Sequence, residues 1–314
     1  PSSHPSISCL PLLEGYKSIN MAHTLRTGRS RSFLVKVITL FIICVLVTIA
    51  FKQEFGWERE ISRMPRFQVA TPQYSQAPDA TIVTAYFAIS SKHTLAEYDE
   101  WMGRTLSLQD PMIIFTTSDT ASKVEGLRAH ALDKTKIISI ELTETLMATA
   151  YNEDFWIKQH EMDPEADIHP DFRLYWIWNE KANFLKKALD MNPFNSDFFA
   201  WVDIGYFRTK EYFGQKMIGS IPDDLKRDQV LLLDVSSLVN GQKYVGGGFI
   251  GGFVEGVGKW CMKYYLTLES NKNTFIGKDQ PWMYRTCERY PGLCYLVKPN
   301  QDHGDPWFFM APFL

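Results

Sequence analysis

The chain has 314 residues, 45% of them hydrophobic and 22% charged, enough for one sizeable core with appendages. A formal charge of −3 and a pI near 6.2 exclude nucleic acid as the main partner, because no basic excess exists to neutralise phosphates. Aromatic residues make up 14%, with 9 Trp and 14 Tyr; core packing is their first use, and stacking against sugars is a second.

Residues 1–32 are expected to form a cytosolic tail, with Met21 as the expected start and residues 1–20 left uninterpreted. Residues 33–51 read FLVKVITLFIICVLVTIAF, interrupted only by Lys36, which lies near enough to one end to snorkel. At 1.5 Å per residue this run spans roughly 28 Å, close to the hydrocarbon thickness of a bilayer. A cleaved signal peptide has a shorter apolar region and a small-x-small site; here Lys52-Gln53-Glu54 follows, so a retained transmembrane anchor is expected. Arg26, Arg29 and Arg31 precede it, which puts the N-terminus in the cytosol and everything after Phe51 on the other side. Residues 52–78 contain Pro65, Pro72 and Pro78 and no apolar periodicity, and are read as a stem.

Residues 79–314 alternate strand and helix signals and are expected to form one α/β domain, a mainly parallel sheet with helices on both faces. Thr81–Phe87 is an apolar, β-branched run. Leu95–Leu108 has helical periodicity with Thr94 as its cap. Met112–Phe115 and Lys136–Leu142 are the next strands, with a helix capped by Ser118 or Asp119 between them. A long helix over 174–191 stops at Asn192-Pro193. Strands follow at Phe198–Asp203 and Val230–Val235. Gly246–Gly252 is expected to be a glycine-dense turn before a helix over Val254–Leu268, and Cys294–Val297 is the last strand. Of five cysteines, Cys9 and Cys44 fall in the tail and anchor. Cys287 and Cys294 are near enough to bridge, which would leave Cys261 free; three buried thiols are the equal alternative.

Trp201-Val202-Asp203-Ile204-Gly205 ends a buried strand in a carboxylate followed by a glycine. In open parallel sheets ligands sit at the carboxyl ends of strands, and an Asp there can ligate a divalent cation. Asn179 and Lys181 lie on the preceding helix, Asp279 opens a later one, and His303 lies near the C-terminus. Carboxylates with a neutral imidazole are the set used for metal binding and base chemistry. Gly246–Gly251 matches G-x-G-x-x-G but comes too late in the chain for a dinucleotide fingerprint. A G-x-S-x-G elbow is absent.

TIVTAYF, EYDEWM, PMIIFT, WNEKANFLKKAL, NPFNSDFFAWVDIGYFR, GGGFIGG, GKDQ and a final WFF resemble the HtrL/YibB family from residue 81 onward. That family in turn is similar to GT-A nucleotide-sugar glycosyltransferases. The resemblance implies a sugar transferase with a nucleotide-sugar donor and a glycan, lipid or protein acceptor. The resemblance does not cover the anchor or stem; taken with them, it gives the expectation of a type II membrane protein of the Golgi or endoplasmic reticulum. Asp203 would stand at the first acid of a D-x-D metal motif and Gly205 at the second. Gly205 offers one carboxylate fewer than that motif, so a manganese or magnesium ion would rest on Asp203 and His303, be held weakly, or be absent. Lys181, Asp203 and Gly205 would face the nucleotide. Gly247, Gly248, Gln280 and Trp307 would face the substrate, with Asp279 as the catalytic base. The alternative is an inactive luminal carbohydrate-binding or scaffold protein with a degenerate transferase fold.

Overall fold

The computed structural model describes residues 73–299, 305–308 and 310. The expected tail, anchor, most of the stem, Cys9, Cys44 and His303 lie outside these residues. No helix among the described residues is long and apolar enough to cross a membrane.

Strands β1 (Tyr74–Gln76), β2 (Ala80–Tyr86), β3 (Met112–Thr116), β4 (Thr135–Ser139), β5 (Phe198–Val202), β6 (Ser220–Pro222), β7 (Val230–Asp234), β8 (Val245–Phe253) and β9 (Cys294–Val297) form two sheets. β1, within the last residues of the segment read as stem, pairs antiparallel with β6. The other seven strands run in the order β4-β3-β2-β5-β8-β7-β9. Only the two pairings made by β8 are antiparallel, so the sheet is mainly parallel, as expected.

β8 corrects the glycine-dense turn expected at Gly246–Gly252. Glycine weakens a strand's local signal because it brings no side chain to pack. Here neighbouring side chains take that room: a Cβ on Gly251 would fall 2.6 Å from the Phe249 ring, and one on Gly248 would fall 2.9 Å from the Tyr206 ring. The short connection from β7 through 235–244 makes a hairpin, and a hairpin runs antiparallel.

Helices α1 (Leu95–Leu106), α2 (Ser118–Leu127), α3 (Leu146–Ala150), α4 (Glu153–Glu161), α5 (Arg173–Met191), α6 (Val254–Ser270) and α7 (Asp279–Arg289) cover the seven-stranded sheet. The period-2 alternation of the strands sorts their side chains between two cores. Phe199, Trp201, Val230 and Leu232 pack toward Phe184, Leu185 and Trp260 of α5 and α6. Phe198, Ala200, Leu231 and Leu233 face the other way, in the core that includes Met102 and Leu106 of α1 and Val124 of α2. α1 begins with a full capping box between Thr94 and Glu97. α5 ends at Asn192 in the left-handed region (φ 30°), where Asn is tolerated and the following Pro193 prevents continuation. Cys287 and Cys294 form a disulfide tying α7 to β9, and Cys261 is buried and free.

Candidate active site

The chain leaves β2 toward β3 and leaves its parallel neighbour β5 toward β7 and β8, at opposite edges of the sheet, so a crevice opens at their carboxyl ends. Asp203 is the first residue past β5. Its amide donates to the Gly248 carbonyl at 2.9 Å, which places the start of β8 against the same crevice. A cleft of about 420 Å³ lies there, joined to a smaller, more apolar arm of about 120 Å³. Lys181, Asp203 and Arg208 line both. The larger volume falls within the ordinary range for a small-molecule site, roughly 300–1,000 Å³.

α5 carries three consecutive buried polar side chains, Asn179, Glu180 and Lys181. Each has a defined task, because buried polar groups must be paired. Asn179 Nδ2 donates to the Ile276 and Gly277 carbonyls while its Oδ1 accepts from the Tyr264 hydroxyl, which fixes the loop leading into α7. The Glu180 carboxylate accepts the Leu146 and Met147 amides at the start of α3. Lys181 reaches the crevice. Its Nζ donates to the Gly247 carbonyl at 2.9 Å and lies 2.9 Å from Asp279 Oδ2 and 3.2 Å from Asp203 Oδ1.

Asp203, Asp279 and Lys181 therefore meet in one place although they come from β5, α7 and α5. Burial alone would pull the Lys181 ammonium down, but Asp203 and Asp279 outweigh it and hold its pKa above the ordinary value. Burial pushes the Asp279 carboxyl up, with Lys181 opposing only part of the shift. Asp203 is the accessible member: its side chain is 40% exposed, against 6% for Asp279. Gly247, Gly248, Gln280 and Trp307 line the same cleft. A Cβ on Gly247 would lie 3.1 Å from both Asp279 Oδ2 and Gln280 Cγ, so glycine there keeps the acid uncrowded.

At Gly205 even a Cβ would press on the Trp101 ring. A Cβ there would lie 3.2 Å from Trp101 Cε3, 3.5 Å from Tyr98 Cε1 and 3.8 Å from Arg208 Nη2. Mg²⁺ takes about six oxygen ligands, of which one or two are protein carboxylates and the rest are waters and substrate phosphates. Asp203 Oδ1 already accepts from Trp201 Nε1 at 2.7 Å and faces Lys181, which leaves Oδ2. Among the described residues this centre offers Asp203 Oδ2 and the Asp279 carboxylate, but the Lys181 ammonium stands between the two acids, in the place a divalent ion would take; the other expected ligand, His303, lies outside the described residues. A second cluster at the cleft edge, Asp163, Glu165 and His169, has ligand atoms within 4.8 Å of one another and could hold a metal. In this structure Asp163 Oδ2 is bonded to His169 Nδ1 and the Tyr175 hydroxyl, and the Lys278 amine stands against Asp163 and Glu165.

Arg208, Tyr98 and Trp101 were not singled out by sequence reasoning. The Arg208 guanidinium stacks 3.4 Å from the Trp101 ring centroid and 5.3 Å from that of Phe308. The available signal was an arginine five residues after the strand-terminal acid, and nothing in that spacing says which way it points.

These features define an α/β domain with one polar crevice at its sheet's switch point. A family profile described as "Bacterial protein of unknown function (HtrL_YibB)" matches residues 78–308, and the chain belongs to that family. Protein HtrL of Escherichia coli K12 is 26% identical over 256 residues, covering 70% of this chain and 85% of its own length. Solved structures of low similarity include core-mannan synthase A from Aspergillus fumigatus in a Mn/GDP form (9% identity, TM-score 0.42, covering 72% of this chain and 74% of that one). Mouse xyloside xylosyltransferase 1 gives 9% identity and a TM-score of 0.37, covering 75% and 94%. A glycosyltransferase involved in glycosylation of the major capsid of PBCV-1 gives 12% and 0.35, covering 70% and 82%.

Proposed function

We propose that this chain is a glycosyltransferase-type enzyme that moves a sugar from a nucleotide-sugar donor to a glycan, lipid or protein acceptor. The observation that carries this reading is the meeting of Asp203, Lys181 and Asp279 in one crevice at the carboxyl ends of β2 and β5. In the proposed arrangement the apolar arm, walled by Tyr86, Phe87 and Trp178, takes the nucleoside base. Asp203 and Lys181 face the donor. Asp279, whose basicity burial raises, is placed to accept a proton from the acceptor hydroxyl beside Gly247 and Gln280.

The test is thermal unfolding of the purified chain against a panel of UDP- and GDP-sugars. One donor is expected to raise the midpoint, and Asp203→Ala is expected to abolish that rise. No shift with any donor would sink the reading. The second reading, a silent glycan-binding protein, is favoured by Gly205 standing where a second acid was expected. It predicts glycan binding that survives Asp203→Ala.

The same proposal includes a type II topology, with residues 33–51 as anchor, residues 52–78 as stem for all but the strand-forming end, and the α/β domain luminal, in the Golgi or endoplasmic reticulum. The Cys287–Cys294 disulfide supports an oxidising compartment.

A further inference from the structure

We propose that the cleft binds a diphosphate-bearing ligand without a divalent cation, and that Arg208 supplies the positive charge a metal would otherwise bring. This rests on the nucleotide-sugar reading and narrows it to a metal-independent mode of binding.

Lys181 faces both Asp203 and Asp279, so its single charge is opposed by two carboxylates and none is left for a ligand. A diphosphate approaching Asp203 would be repelled unless another cation stood nearby. Arg208 stands there, lining both the wide cleft and the apolar arm, at their junction.

Asp203, Asp305 and Glu97 lie near enough to Arg208 to act on its charge, but none is in ion-pair contact with it. Arg208 forms no ion pair with any carboxylate among the described residues, and its Nε is buried without a hydrogen-bond partner. Lys181 is neutralised by two acids, Lys278 by Asp163 and Glu165, and Arg104 by Glu100, while Arg128, also without an ion pair, donates to the Leu106, Leu108 and Asp110 carbonyls and to Thr135. Holding a half-buried guanidinium unpaired is costly, and an anionic ligand removes that cost. The planar fork suits phosphate oxygens, and the rings of Trp101 and Phe308 fix its plane.

The place where a second metal-binding acid would project is bounded by Trp101, Tyr98 and Arg208 Nη2 itself. Gly205 therefore lies under the Trp101 ring on which the guanidinium stacks, and a side chain longer than Cβ there would project among Trp101, Tyr98 and Arg208. The missing acid and the unpaired arginine are two sides of one arrangement.

Titration calorimetry of the full chain in detergent with UDP and with GDP tests this, first in EDTA and then with added Mn²⁺, on wild type, Arg208→Gln and Arg208→Lys. Wild type is expected to bind one of the nucleotides in EDTA, with Mn²⁺ changing Kd less than about threefold. Arg208→Gln should weaken binding at least about tenfold, the scale of a lost charge-assisted contact, while Arg208→Lys retains part of it. If Arg208→Gln does not fold, the comparison of EDTA with Mn²⁺ on wild type decides alone. Binding that appears only with Mn²⁺, or that Arg208→Gln leaves unchanged, overturns the inference and leaves the transferase reading standing. Absence of binding to either nucleotide under both conditions overturns the transferase reading, and this inference with it.

Discussion

Gly205 and Lys181 carry opposite lessons about single positions. Restoring an acid at 205 would on paper rebuild a metal motif, but its Cβ would press on Trp101 and its carboxylate would come within reach of Arg208. Gly205→Asp is expected to lower stability by about 1–3 kcal/mol through overpacking. It should also weaken nucleotide binding in EDTA by pairing with the guanidinium; tighter metal-free binding would contradict this. Lys181→Met should cost about 3–5 kcal/mol at neutral pH, because Asp279 is left buried without its counter-ion. The pH dependence has a definite sign. A carboxyl whose folded pKa lies above the ordinary 3.8 takes up a proton on folding, so stability falls as pH rises from 3.8 through the folded value. In Lys181→Met that upward shift is larger, so the deficit against wild type should shrink as pH is lowered from 7 toward 4. A chemical-denaturation series across that range measures it, and a deficit that grows on acidification would refute the account.

At the scale of elements, two glycines on α6 make a controlled pair. Gly256→Ala would place a Cβ 2.2 Å from the backbone carbonyl of Gln229, which cannot swing away, whereas nothing lies within 4 Å at Gly258. Gly258→Ala should stabilise the helix by about 0.5–1 kcal/mol, and Gly256→Ala should destabilise the protein by at least about 2 kcal/mol. Denaturant midpoints of the two variants check this. Reducing the Cys287–Cys294 bridge, which closes a loop with a sequence separation of 7, should cost about 2–3 kcal/mol.

Elements whose side chains carry their own periodicity were legible in the sequence: β2, β3, β5, β7, α1, α5 and α6 all lie where residue pattern alone places them. β8 was not, because five of its nine residues are glycine and the signal that makes it a strand sits on Tyr206, Leu233 and Phe198. α3 and α4 were missed because short helices lack a long apolar stripe. At the site, Asp203 and Asp279 were legible as acids at the end of a strand and the start of a helix, and Lys181 as a lysine within the helix before that strand. Arg208 was not, since its importance comes from the tertiary placement of Trp101 and Phe308.

The whole molecule joins a crevice-bearing α/β domain to an expected membrane anchor, and the two halves can be tested apart. In cells, the chain should resist alkaline extraction from membranes, and its domain should be protected from protease in sealed vesicles until detergent is added. Digestion of the domain in intact vesicles would contradict the luminal orientation. The central claim, that a nucleotide-bearing donor occupies the crevice between β5, β8 and α7, is tested most directly by hydrogen–deuterium exchange with and without the stabilising nucleotide sugar. The account predicts slowed exchange at 203–208, at 245–249 and at the start of α7, all of it absent in Asp203→Ala. Protection confined to other surfaces, or unchanged by Asp203→Ala, would contradict it.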